Sequence, residues 1–98
     1  MNRNRIELTG AVLRPPEVRT TPAGTPVMRI EVNCGDAHEA LKLAVVMVGE
    51  GAREIGLRLG AGATVTVTGK LREVRGRSRL RGTELGVEVV ADDVRGIS

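Results

Sequence analysis

Apolar and polar positions alternate with period two over most of the chain and switch to a helical period in one stretch. Ile6, Leu8, Gly10 and Val12 alternate with Glu7, Thr9 and Ala11, which predicts a first strand from about Arg5 to Leu13, with a bulge or sharp bend at Gly10. Pro15 and Pro16 end that ladder, because the first lacks a donor and both restrict the residue before them. Thr21-Pro22-Ala23-Gly24 reads as a tight turn with Gly24 in the left-handed region. Met28, Ile30 and Val32 give the inner face of a second strand, and the short polar Asn33–Glu39 connection makes it a hairpin with a third. In the third strand Leu41, Leu43, Val45 and Met47 are expected inward. Its other face, Lys42, Ala44, Val46 and Val48, is also mostly apolar, which predicts cover by a helix or a second subunit.

The helical stretch is Glu50 to Leu59, where Ala52, Ile55 and Leu59 form one stripe and Arg53, Glu54 and Arg58 face water. A fourth strand follows, with Val65, Val67 and Leu71 inward. A fifth runs from about Glu84 to Val94, with Leu85, Val87, Val89 and Ala91 inward and Glu88 and Asp92 outward. Five antiparallel strands with one short helix between the third and fourth is the order of an all-β, partly open OB-fold barrel. A sheet packed on the helix without closure has the same periods.

Composition narrows the picture. At 98 residues the chain accommodates one domain, spanning 1–98. It has no Phe, Tyr or Trp, so the core must be built from Val, Leu, Ile, Met and Ala. Cys34 is the single cysteine, which excludes an intramolecular disulfide and makes the reducing cytoplasm the expected compartment. The polar start and the absence of a long apolar window predict neither a signal peptide nor a membrane span. Met28 and Met47 fall at core positions.

Charge is the least evenly spread property. Lys70, Arg72, Arg75, Arg77, Arg79 and Arg81 are opposed only by Glu73 within their segment, while the rest of the chain carries 9 basic and 11 acidic residues. The formal +3 is therefore concentrated in one place, where it attracts a polyanion more strongly than if dispersed. Because the segment joins two predicted strands, it is expected to be a basic hairpin arm at about residues 70–83. The alternative for such a run is a solvated face whose arginines pair with neighbouring carboxylates.

The wording of particular segments adds a resemblance. Asn4-Arg5-Ile6, Leu8-Thr9-Gly10, Arg14-x-Pro16-Glu17-x-Arg19-x-Thr21-Pro22-Ala23-Gly24-Thr25, Val67-x-Gly69-Lys70-Leu71 and Glu88 to Val94 resemble the bacterial single-stranded-DNA-binding protein family over essentially the whole chain. Within it, the Thr20–Val27 turn and the chain length most resemble the short dimeric primosomal members that act in replication restart. The resemblance implies single-stranded DNA as ligand, a homodimer paired through first strands, a primosomal helicase and other replication-restart proteins as partners, and no catalytic residues, metal or cofactor. One departure bears on mechanism: members of the general type stack bases on aromatic rings, worth roughly 1–3 kcal/mol per base, and this chain has none. Arginine planes are the available substitute, so binding is expected to be weaker or more salt-dependent.

The expected interface is a groove framed by strands two and three and the arm. Lys70, Arg72, Arg75, Arg77, Arg79 and Arg81 would supply most phosphate contacts, and Arg14, Arg19, Arg29 and Lys42 would extend the path. Two other functions fit the same features: a general single-stranded-DNA-binding protein, and an adaptor for a replication helicase whose DNA affinity is incidental. An enzyme finds no support. Glu50 and Glu54 lack an accompanying histidine or third carboxylate, His38 and Cys34 lack further ligands, and no phosphate-binding Gly-Lys motif occurs.

Overall fold

The computed structural model describes the backbone of residues 2–78 and 82–97, and the side chains of 2–74 and 86–97. Its elements are β1 (Ile6–Val12), β2 (Glu17–Thr20), β3 (Pro26–Asn33), β4 (Lys42–Val48), α1 (Glu50–Arg58), β5 (Thr64–Ser78) and β6 (Gly82–Ile97). The strands run in the order β1-β5-β6-β4-β3-β2, and β1 pairs with β3 as well, which closes the sheet on itself. Closure is partial. The β1–β3 contact covers only Ala11↔Asn33 and Val12↔Val32, while the first half of β1 pairs with β5 alone. This is the partly open OB-fold barrel expected, with its one helix between β4 and β5.

Three details differ from the expectation. The sheet is not wholly antiparallel, because β4 and β6 run parallel over Ala44–Val46 and Glu88–Val90, and that pairing joins the β1-β5-β6 and β2-β3-β4 halves. The connection after Pro15-Pro16 contains β2, whose four residues pair with the start of β3. Leu41, Leu71 and Val87, expected inward, are 51%, 38% and 51% exposed. Leu41 precedes β4. Leu71 lies past Ile6↔Gly69, where the β1 pairing stops, and Val87 lies past the last β4 partner of β6.

The core follows the alternation elsewhere. Met28, Ile30 and Val32 of β3, Val45 of β4, Val65 and Val67 of β5, and Val89, Ala91 and Val94 of β6 are buried, with Val12 of β1 and Ala52 of α1. The step from Ala91 to Val94 breaks period two because the ladder shifts register between Thr68 and Gly69, leaving Asp92 as the extra residue on β6. Aliphatic side chains thus fill an interior from which rings are missing. Ile55 and Leu59 pack against that interior from α1, as their spacing predicted. Gly10 sits where β1 changes partner: a Cβ there would lie 2.4 Å from the Asn33 carbonyl oxygen, so only glycine permits the crossing. Gly24 adopts φ 88° in the β2–β3 turn. Thr21 Oγ1 accepts from the Thr25 N–H at 3.1 Å in the same turn.

The β5–β6 ladder extends beyond the barrel. Arg72↔Glu88 is the last rung with β4 alongside, through Ala44; from Glu73↔Val87 to Ser78↔Gly82 the ladder continues with no third strand alongside among the described residues.

Candidate nucleic-acid interface

Because Met28, Ile30 and Val32 point inward, Val27, Arg29 and Glu31 of β3 must point outward, and register carries the outward set across the sheet. Arg29 lies opposite Val46, Val46 opposite Val90, and Val90 opposite Lys70, giving one row across β3, β4, β6 and β5. The next row is Glu31, Ala44, Glu88 and Arg72. Three strand spacings separate Arg29 from Lys70, about 14 Å along the sheet. In the first row two cations border small aliphatic side chains, whereas the second places Glu31 beside Arg29 and Glu88 between Ala44 and Arg72.

The expected contact residues take different positions on this frame. Arg19 and Arg29, with Glu17, Val27 and Val46, line a concavity of about 370 Å³ on the β2–β3–β4 side. Their carboxylate neighbours are loose: Arg19 is 3.8 Å from Glu17 and Arg29 is 3.7 Å from Glu31. Lys70 is exposed on β5, and among the described residues it makes no ion pair. Lys42 opens β4 and is exposed, and Arg14 is exposed in the link between β1 and β2.

Among the described candidates Arg72 is the one held most firmly by its own molecule. Its Nε donates to Glu88 Oε1 at 3.0 Å and its Nη2 donates to the same oxygen, with the Glu88 side chain only 13% exposed. This cross-strand pair offsets part of the charge that Arg72 would present to a phosphate. Arg75 and Arg77 lie on β5 opposite Leu85 and Thr83, and their side chains fall outside the described residues. Arg79 and Arg81 also lie outside them.

Two groups near the root of the ribbon escaped the reading of charge and period. The Asn4 side chain donates to the Leu71 carbonyl at 2.7 Å and accepts from the Leu71 N–H at 3.0 Å, so an amide side chain adds one more rung where β1 stops pairing. Arg5 pairs with Asp92, the extra residue of the bulge, at 2.6 Å. Neither contact has a local sequence signal, since both join residues far apart in the chain.

The β3–β4 loop has a different character. Asp36 Oδ1 accepts from the Glu39 N–H at 2.8 Å and the His38 N–H at 2.9 Å, and these two donors hold its carboxyl below the ordinary carboxylate value. Cys34 Sγ lies 3.6 Å from the Leu41 carbonyl. Among the described residues no group of three His, Cys, Asp or Glu could hold a metal ion, and no helix is long and apolar enough to cross a membrane. The expected helix cover over the outer face of β4 is not found: Val48 is 56% exposed, and Val46 forms part of the open concavity.

The model of the single-strand binding protein family matches residues 3–97, nearly the full chain. A search of curated proteins gave no match.

Proposed function

The chain belongs to the single-strand binding protein family, and we propose that it binds unpaired DNA without catalysis, across the outer face of β3, β4 and β6 and along a basic arm formed by the outer β5–β6 ladder. Family membership supports the ligand. The observation that carries the path is the row Arg29, Val46, Val90, Lys70, which leads from the concavity at β2–β3 to the root of the segment containing Arg75, Arg77, Arg79 and Arg81. Arg14, Arg19 and Lys42 extend it at the margins, and Arg72 joins to the extent that Glu88 releases it. Aliphatic side chains offer base faces dispersion contact without ring stacking, so phosphate pairing supplies most of the affinity.

If about four phosphates are neutralised, the single-strand salt slope is about −3. Fluorescence anisotropy with a labelled oligothymidylate at two or more salt concentrations measures it. Charge reversal at Arg77 and Arg79 together is expected to weaken all single strands alike, by at least about tenfold at low salt, and to make the slope shallower by about 1.4. An unchanged titration removes the arm from the interface.

Within the family we place the chain as primosomal replication protein B, a homodimeric component of replication restart. The Thr20–Val27 turn supports the placement, and the edge of β1 from Ile6 to Gly10 that has no partner among the described residues gives a second subunit a strand to join. A primosomal helicase and other restart proteins are the partners this implies. The exposed Val48 favours a second reading, an adaptor for a replication helicase, because it leaves apolar surface beside the DNA path. Retained helicase binding with no salt-sensitive DNA affinity would select that reading.

A further inference from the structure

At the end of the barrel away from the ribbon, α1 covers the core incompletely. Ile55 and Leu59 reach the β5–β6 ends, but Gly96 has no side chain to meet them, and a slot of about 380 Å³ remains between the helix and Val94, Gly96 and Ile97. A Cβ on Gly96 would find its nearest neighbour at Leu59 Cδ2, 3.9 Å away, so the gap is open to the strand backbone. Ile97 at its rim is half exposed. Arg58, in the last helical turn, stands at the same rim and makes no ion pair among the described residues.

The strand beside the slot is also incomplete. β6 pairs with β4 only over Glu88–Val90, so among the described residues the edge opposite β5 has no partner from Ala91 to Ile97. Backbone donors and acceptors on such an edge recruit another extended chain. Apolar walls next to that edge accept one of its side chains, and an unpaired guanidinium accepts a carboxylate.

We infer that this corner is a docking site for an extended peptide segment of a partner protein, one that adds along the β6 edge, seats a Leu- or Ile-sized side chain against Ile55 and Leu59, and sets an acidic residue on Arg58. The three requirements are met within one short stretch by the edge, the slot and the charge. The site is separate from the DNA path, so the inference stands or falls independently of it.

The probe is the synthetic peptide acetyl-Thr-Asp-Leu-Val-Asp-Thr-amide, with variants carrying Ile or Phe for Leu, titrated into the full chain while methyl NMR signals are followed. Saturable shifts of Ile55, Leu59, Val94 and Ile97 are expected, with affinity reduced about fivefold by Arg58→Glu. Gly96→Val should fill the slot, leave the melting temperature unchanged or raised, and abolish the shifts. The inference is overturned if none of the peptides moves these methyls, or if a variant with Lys in place of Asp binds equally well. It is also overturned if raising the protein concentration alone produces the same shifts, since the occupant would then be a second copy.

Discussion

Along β5 and β6 the same alternation of apolar residues meets two environments. Where each strand has its second neighbour Val65, Val67 and Val89 are completely buried, whereas past that neighbour Leu71 on β5 is 38% and Val87 on β6 51% exposed. The difference comes from the number of strands alongside. In the barrel β1 flanks β5 and β4 flanks β6, so each inward side chain finds partners across the interior. Beyond Gly69 β5 loses β1, and beyond Glu88 β6 loses β4. From Glu73↔Val87 outward the ladder therefore has no third strand among the described residues, and a two-stranded ribbon encloses nothing. Period two therefore tells which residues share a face, while closure decides whether that face is dry.

Glycines break the comparison most severely. Gly10→Val would drive a side chain into the Asn33 carbonyl, where an added Cβ would lie 2.4 Å away and β1 must cross to β3. It should cost about 4 kcal/mol or more, enough to unfold a small barrel. At Gly86 of the ribbon a Cβ would come no nearer than 4.0 Å to the Val74 carbonyl oxygen, and the same change should stay within about 0.5 kcal/mol. Urea denaturation of the two variants tests this contrast, and equal losses would show the ribbon to be as tightly packed as the barrel.

A truncation pair asks the same question more gently. Val67→Ala removes two buried methyl groups and leaves a cavity, for a loss of about 2 kcal/mol. Val87→Ala acts on a residue that is already half in water, so a loss below about 0.5 kcal/mol is expected. Denaturation midpoints at an unchanged m-value give both numbers.

Much of this architecture was readable from residues alone, for physical reasons that also mark where reading stopped. Met28, Ile30 and Val32 could be placed inward because the second strand shows strict alternation, and Ala52, Ile55 and Leu59 because helical spacing has few rivals. The parallel β4–β6 pairing was hidden, since it joins segments some forty residues apart whose own patterns do not specify direction. β2 was masked by the prolines before it. At the site, Arg29 and Lys70 were identified by charge, but their common row with Val46 and Val90 emerged only from register. The attachment of Arg72 to Glu88 was likewise missed, because the two carry the expected outward parity and nothing local shows that they stand opposite one another.

That pair offers the finest test of how barrel and ribbon cooperate, because Arg72 and Glu88 form the rung where the barrel ends. Arg72 is more than half exposed, so solvent screens the attraction, and Glu88→Gln should cost no more than about 1 kcal/mol of stability. The same change removes a negative charge from the row of Glu31, Ala44, Glu88 and Arg72 and releases a guanidinium toward the proposed DNA path. Affinity for oligothymidylate should rise about threefold and the salt slope should steepen by about 0.7, the signature of one added phosphate contact. A gain in both quantities would mean that the strand passes from the β3–β4 face onto the arm across this rung. Unchanged binding with the small stability loss intact would confine the contacts to one side of it, and Arg72 would then serve to brace the ribbon against the barrel.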